Sequence, residues 1–230
     1  MKPTRFKRIP QVGPLPVDLN HTSVPIPVSW LHTHAYCEYQ LYLEKALGIE
    51  APPTTEMISG THQHNFLDAE HEKKVEIELT VPEAVQKAQL EAVIMISRDI
   101  SVRGKSLYGR IDEVAFEPNR IVIIDDKPTA LPYFSNRLQV WGYCQAFFET
   151  YSPEVPLFGA IRQEDSGNIV WFEPFKDEYA SLVQAAVTRI QAILCGNETP
   201  QPSGNTKKCK PCRFKKSCSV IANGSGRSLT

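Results

Sequence analysis

The sequence predicts an α/β or α+β domain built on a central sheet. The predicted order is helices, three strands, a helix, two strands, a helix and a cysteine-rich loop, and such an order is typical of helices packed on a sheet. Hydrophobic residues make up 42% and charged residues 22% of the chain, as in ordinary globular domains. A length of 230 residues fits one large domain, or one domain with a small satellite.

The N-terminal part predicts an arm followed by two helices. Residues 1–28 are rich in proline and are expected to form an extended arm. Ser29 suits the N-cap of a helix over SWLHTHAYCEYQLYLEKALG, which Gly48 ends. After the APP break, a second helix is expected to begin at Thr54 or Thr55.

The middle of the chain predicts a short helix and three strands. Pro82 suits the first turn of a helix that runs to about Glu91. The sequence EPNR is a favourable tight turn between the last two strand-like segments. The three strand-like segments are 92–102, 107–117 and 120–127.

The remaining elements complete one domain over residues 29–218. A helix is predicted at 136–150, strands at LFGAIRQ and NIVWFEPF, and an amphipathic helix at 177–195. The chain beyond this helix is polar and loop-like, and 219–230 is expected to be a flexible tail.

The stretch VIIDDKP places three charged residues directly after a buried strand. Strand alternation puts Asp125 and Lys127 on one face and Asp126 on the other. The EPNR hairpin would bring Asp112, in GRIDEV, close to Asp125. Two adjacent carboxylates repel unless a cation lies between them, and Mg²⁺ and Mn²⁺ prefer oxygen ligands. The alternative interpretation is a solvent-exposed salt bridge to Lys127.

Two helices add polar side chains to this pattern. Gln139 and Tyr143 are spaced i, i+4 and therefore share one helix face. His64, in GTHQH, could turn its imidazole toward the sheet, whereas His62, Asp68 and His71 are expected on a solvated face.

The cysteines predict a metal centre. The segment CKPCRFKKSC carries Cys209, Cys212 and Cys218, and C-x₂-C is a common chelating turn. Cys37 is the best candidate for a fourth ligand, because Cys144 lies in an apolar helix and is expected to be a buried thiol. Four thiolates suit either Zn²⁺ or an iron–sulfur cluster, and spacing does not separate the two.

Composition limits the classes of function. The formal net charge of −1 argues against a wholesale electrostatic nucleic-acid binder, although 207–216 is a local basic patch. No apolar run approaches the roughly 18–20 residues that span a bilayer, and the N-terminus lacks a secretory signal core. A cytoplasmic location is therefore expected, where cysteines are rarely in disulfides.

Together, AYCEYQLYL, GTHQH, GRIDEV, IIDDKP, QVWGY and CKPCRFKKSC resemble the CRISPR-associated RecB-like exonucleases, the Cas-four family of the PD-(D/E)xK nuclease superfamily. The resemblance runs over about 28–218 and rests on the joint order of these short motifs. It implies a restriction-endonuclease-like core, a mixed sheet flanked by helices, with an iron–sulfur subdomain formed by the N-terminal helix and the C-terminal loop.

The resemblance also implies the roles of individual residues. A catalytic Mn²⁺ or Mg²⁺ would be bound by His64, Asp112, Asp125 and the backbone carbonyl of Asp126. Lys127 would be the catalytic lysine, supported by Gln139 and Tyr143. A [4Fe–4S] cluster would be held by Cys37, Cys209, Cys212 and Cys218.

This chain departs from the family pattern at two places. The family usually has Glu where Asp125 stands, so this carboxylate reaches one methylene less far. Proline and basic residues commonly follow the first cysteine in the family, whereas Glu38, Tyr39 and Gln40 follow Cys37 here.

The sequence thus predicts a metal-dependent exonuclease on single-stranded DNA. The resemblance implies processing of spacer precursors in CRISPR adaptation, with the adaptation integrase and its small partner subunit. The alternatives are a phage or repair RecB-like nuclease, and a non-catalytic four-cysteine module that binds DNA or docks a partner.

Overall fold

The computed structural model describes residues 2–9 and 24–218, and these form one mixed sheet with helices on it. The strands are β1 (Thr4–Arg8), β2 (Ile26–Pro27), β3 (Ile77–Leu79), β4 (Met95–Arg103), β5 (Leu107–Glu117), β6 (Arg120–Lys127), β7 (Leu157–Gln163) and β8 (Ile169–Pro174). The helices are α1 (Ser29–Tyr36), α2 (Glu38–Lys45), α3 (Thr55–Glu72), α4 (Val81–Glu91), α5 (Phe134–Tyr151), α6 (Asp177–Leu194) and α7 (Thr206–Cys209), followed by a 3₁₀ turn at Lys215–Ser217.

The sheet has the order β3-β1-β4-β5-β6-β7-β8, and β2 pairs with the start of β5. β4, β5 and β6 form an antiparallel meander, whereas β6 and β7 run parallel. β1 lies parallel to both β3 and β4, and β8 returns antiparallel to β7. β6 is therefore an inner strand, which agrees with the apolar residues on both of its faces.

The hairpin of β5 and β6 is confirmed at both ends. Glu117 pairs with Arg120 across the EPNR turn, and the register continues to Glu113 opposite Ile124. The alternating burial of these strands and the turn between them are local signals, so the sequence carries them. Continuation of this register by one pair sets Asp112 beside Asp125.

Residues 4–8, which lie in the predicted arm, form a strand inside the sheet. Phe6 is fully buried against Phe116, with ring centroids 5.5 Å apart. Burial of a Phe side chain stabilises the fold by roughly 1.5–3 kcal/mol, which outweighs the weak strand propensity of this short basic segment. Residues 10–23 of the arm and the predicted tail at 219–230 lie outside the described part of the chain.

The single helix predicted over 29–48 is two helices. Cys37 separates them with an extended backbone, at φ −167° and ψ 113°, and serves as the N-cap of α2. The sequence has no Gly or Pro at this point, so the break has no local signal. It turns α2 away from α1 and brings Cys37 to a cavity described below.

One large core lies between the sheet and the helices α1, α5 and α6. Gly142 on α5 permits the close approach of α1, because a Cβ there would lie 2.3 Å from Leu31 Cδ1. The opposite sheet face carries a smaller apolar cluster of Ala115, Val122, Ile124 and Ala160.

Within the described segments, no helix is long and apolar enough to cross a membrane.

Candidate active site

The middle of β5 and the carboxyl end of β6 bring the predicted acids and lysine together. Asp112 Oδ2 accepts a hydrogen bond from the backbone N–H of Asp126 at 2.8 Å. Lys127 Nζ lies 2.8 Å from Asp125 Oδ2, and the Asp125 side chain is only 3% exposed. The ion pair is buried rather than solvent-exposed, so the surface salt bridge interpretation is wrong.

Burial raises the pKa of Asp125 well above its usual range, while Lys127 opposes the rise and Asp112 adds to it. Burial also disfavours the charge of Lys127, but the carboxylates of Asp125 and Asp112 more than offset it and raise the pKa of this amine. The site therefore holds a permanent ammonium charge beside an excess of carboxylates.

Helix α5 contacts this lysine through the side chain of Gln139. Gln139 Oε1 accepts a hydrogen bond from Lys127 Nζ at 3.3 Å. Burial raises the pKa of the Tyr143 phenol, and Asp125 and Asp112 raise it further, so the phenol stays protonated. The ring lies against Gly109 of β5, where a Cβ would be 3.0 Å from a Tyr143 ring carbon. The i, i+4 pair thus faces the acidic strand end, as predicted.

Helix α3 brings the predicted histidine to the same place. Thr54 caps this helix by accepting a hydrogen bond from the backbone N–H of Met57 at 3.2 Å. His64 Nδ1 lies 3.3 Å from Asp112 Oδ1. The hydrogen bond to Asp112 raises the pKa of His64, and burial opposes this rise. His64, Asp112, Asp125, Lys127, Gln139 and Tyr143 are therefore gathered at one edge of the sheet.

Asp126 faces the other side of the sheet, in a paired ionic network. Its carboxylate binds Arg162 at 2.7 and 3.0 Å and Arg98 at 3.1 Å. Both arginines also contact Glu113, at 2.6 Å from Arg162 and 3.2 Å from Arg98. Burial would raise the pKa of Asp126, but the arginines lower it below its usual range. A metal-binding role for the Asp126 carbonyl stays a prediction.

The expectation that His71 faces solvent is wrong, whereas the Asp68 side chain is 34% exposed and also ion-paired. Asp68 Oδ1 accepts a hydrogen bond from Arg98 Nε at 2.8 Å and extends the ionic network to α3. His71 is buried, and its Nε2 lies 3.1 Å from the carbonyl oxygen of Phe6. Both contacts join distant parts of the chain, which a helical periodicity does not reveal.

Glu164, the residue that follows β7, also lies at this site and was not predicted from the sequence. Its side chain is 6% exposed, and Oε1 lies 3.6 Å from His64 Nε2. Its backbone N–H donates to the carbonyl oxygen of Lys127 at 2.9 Å. Because β7 runs parallel to β6, the carboxyl ends of the two strands meet at one edge. Recognition of this pairing would have identified the residue.

His32 on α1 was also missed. Burial and then the charge of Lys127 lower the pKa of His32 to about 4, and a hydrogen bond with Asn136 opposes this shift. A neutral imidazole therefore borders the lysine on the side of α1.

The donors at the sheet edge suit a hard divalent cation. One imidazole and two neighbouring carboxylates are ligands that Mn²⁺ and Mg²⁺ accept. Burial raises the pKa of Asp125, and the carboxylate of Asp112 raises it further against the opposing charge of Lys127. The side chains pair with one another and with Lys127. Across residues 2–9 and 24–218, no set of three or more His, Cys, Asp or Glu side chains is arranged so that it could hold a metal ion.

The four predicted cysteine ligands line one cavity of about 540 Å³, together with apolar side chains such as Leu43 and Phe214. Burial raises the pKa of the Cys212 thiol, and the proximity of Cys37, Cys218 and Cys209 raises it further. Mutual destabilisation of thiolates fits a cationic centre, although the thiols are not gathered to ligand distance of one point. Cys144 is buried as predicted, and Cys195 is exposed.

Side chains from the N-terminal helices fasten the cysteine loop. Tyr36 Oη donates to the carbonyl oxygen of Lys208 at 3.1 Å, and Lys208 Nζ donates to the carbonyl oxygen of Tyr36 at 3.1 Å. Arg213 Nη2 pairs with Glu44 Oε2 at 2.5 Å. The loop and the N-terminal helices are thus joined by direct contacts, and a shared four-cysteine centre stays a prediction.

Comparison with known proteins adds a likeness in structure. A candidate exonuclease from Eubacterium rectale matches 95% of this chain and 96% of its own, at 14% identity and a TM-score of 0.49. The protein SSO0001 matches 87% of this chain and 89% of its own, at 17% identity and a TM-score of 0.41. Likeness at this level does not assign a family or an activity. No family model and no curated protein matches the chain.

Proposed function

We propose that this chain is a metal-dependent deoxyribonuclease that acts mainly on the ends of single-stranded DNA. The observation that carries the proposal is the cluster of His64, Asp112, Asp125 and Lys127 at one sheet edge, in which Asp125 is buried and carboxylate charge exceeds ammonium charge. A structural ion pair would not need a second carboxylate and an imidazole beside it. Such an underpaired acidic cluster is typical of functional sites.

His64, Asp112 and Asp125 would hold Mn²⁺ or Mg²⁺, and the imidazole favours Mn²⁺. When bound, the ion would lower the pKa of a water molecule and polarise a phosphate. The ammonium of Lys127 stabilises the negative charge that develops on the phosphate in the transition state. Gln139 fixes this ammonium by accepting its hydrogen bond, and the protonated Tyr143 phenol offers a donor on the same helix face.

The finer assignment follows from the motif resemblance. It implies a role in CRISPR adaptation, in which the enzyme trims spacer precursors in the cytoplasm together with the integrase and its small partner subunit. A RecB-like nuclease of phage or DNA repair is the alternative within the same chemistry. The genes that neighbour this one distinguish the two.

The nuclease proposal is tested with purified protein on end-labelled single strands in Mn²⁺. Wild-type protein is expected to shorten the labelled strand from one end. Asp112→Ala should leave the strand intact, because a carboxylate ligand is lost. Lys73→Ala, which changes a lysine with a side chain 70% exposed on the far end of α3, serves as the control and should cleave normally. Inactive wild-type protein would refute the proposal.

A second candidate function is a non-catalytic module that binds DNA through the cysteine loop. The pairing of the site carboxylates with Lys127 and His64, rather than around a common centre, favours this candidate. Tight DNA binding by wild-type protein that stays inactive with Mn²⁺ and Mg²⁺ would identify the module.

The cysteines would hold a [4Fe–4S] cluster with a structural role, because four protein ligands leave no open position. Protein purified without oxygen should be brown and absorb broadly at visible wavelengths. Cys212→Ser should lose the iron and become poorly soluble, since the cluster would join α2 to the C-terminal loop. A colourless wild-type preparation with stoichiometric zinc would contradict this assignment.

A further inference from the structure

Glu164 is a buried acid that the proposed chemistry does not use. Its side chain is 6% exposed, and its Oε1 has no hydrogen-bond partner. A buried carboxylate oxygen without a donor costs free energy, so its retention calls for an explanation. The imidazole of His64 faces this oxygen, and its Nε2 lies 3.6 Å away.

The two nitrogens of His64 face two different carboxylates. Nδ1 lies 3.3 Å from Asp112 Oδ1, and Nε2 lies 3.6 Å from Glu164 Oε1. Because the ring nitrogens point away from each other, Glu164 and Asp112 lie on opposite sides of the ring. A cation shared by His64 and Asp112 therefore lies on the Nδ1 side. Glu164 is left to contact the second ring nitrogen.

We infer that Glu164 is a positioning residue, which accepts the Nε2–H of His64 and thereby directs Nδ1 toward the cation held with Asp112. Histidines that bind metals almost always donate the other ring N–H to a carboxylate, a carbonyl or water. This inference rests on the proposed function, because it names a further residue of the same site.

The backbone around Glu164 suits this role. Its N–H donates to the carbonyl oxygen of Lys127 at 2.9 Å, so the end of β7 is fastened to the strand that carries Asp125. Helix α3 contributes the histidine from a separate layer. A carboxylate on the rigid sheet can therefore fix an imidazole on the helix, and contraction of the 3.6 Å separation by less than 1 Å makes a normal hydrogen bond.

The test compares Mn²⁺ affinity, measured by the electron paramagnetic resonance signal of free Mn²⁺, in three variants. Glu164→Ala should weaken Mn²⁺ binding by about 10–100-fold, because the imidazole loses its acceptor. Glu164→Gln should retain most of the affinity, because its amide oxygen still accepts a hydrogen bond. Asp165→Asn changes the exposed acid next in the chain and should bind like wild type.

The cleavage rate supplies a second readout that separates positioning from catalysis. Glu164→Ala should need more Mn²⁺ for half-maximal cleavage, and its rate at saturating Mn²⁺ should return close to that of wild type. Wild-type Mn²⁺ affinity in Glu164→Ala would overturn the inference. So would equal losses in Glu164→Ala and Glu164→Gln, which would make the carboxylate a direct ligand. If wild-type protein neither binds Mn²⁺ nor cleaves DNA, the proposed function itself fails.

Discussion

Two adjacent aspartates on β6 have opposite environments. Asp126 lies between two arginines, which lower the pKa of its carboxylate. Asp125 has a single lysine and a neighbouring acid, and its pKa is raised. Both side chains are almost fully buried, so burial alone does not explain the difference. The balance of charge around each side chain does.

The comparison teaches how to separate a structural acid from a functional one in the same strand. The network of Asp126 contains its own counter-charges and therefore stabilises the packing of α3 on the sheet. The cluster of Asp125 has the single ammonium of Lys127 beside two carboxylates, and such an imbalance is typical of functional sites. The residues that differ in role are one position apart, because alternate side chains of a strand face opposite sides.

The largest expected effect is on cleavage when the lysine of the Asp125 face is removed. Lys127→Ala should lower the rate by about 10²–10³-fold or more, because the transition state loses its stabilising charge. The rate is measured on end-labelled single strands, and Mn²⁺ affinity should be retained or increased. If the variant cleaves at the wild-type rate, the side of β6 that carries Asp125 and Lys127 is no more catalytic than the side that carries Asp126.

The next effect is on stability, and it should separate the two aspartates. Asp126→Asn should lower the free energy of unfolding by about 3 kcal/mol, because the buried Arg98 and the partly exposed Arg162 lose a counter-charge. Asp125→Asn should cost much less, because it removes a carboxylate that burial already disfavours. Urea denaturation measures both. Equal losses would mean that the two carboxylates have equivalent structural roles.

How far the sequence predicts these features depends on the range of the interaction. The hairpin that joins Asp112 to Asp125 is local, and its alternation and turn residues predict it fully. The short strands, the break at Cys37 and the position of Glu164 depend on contacts between distant segments. Glu164 in particular enters the site through the parallel pairing of β7 with β6, for which one sequence has no local signal.

The smallest expected effect is a pH dependence of the free energy of unfolding, which arises from His32 on α1. His32 has a pKa of about 4 in the folded protein, against about 6.5 in an unfolded chain. Between these values the unfolded chain binds a proton that the folded protein does not, so the free energy of unfolding falls as the pH drops from 6.5 toward 4.

The contribution of His32 is isolated by comparison with His32→Asn, whose unfolding free energy should depend less on pH over this window. Since Lys127 is one cause of the lowered pKa, Lys127→Ala should raise the pKa of His32 in an NMR titration. An unchanged pKa of His32 in that variant would show that the charge of Lys127 does not affect the protonation of His32.

The central claim is that the Asp125 face, and not the Asp126 face, binds a divalent cation. A crystal structure of protein grown with Mn²⁺, with anomalous diffraction collected to locate the metal, tests it directly. We predict a single manganese peak where the middle of β5 meets the carboxyl end of β6, in contact with His64, Asp112 and Asp125. An absence of manganese there, with Lys127 still paired to Asp125, would contradict the account.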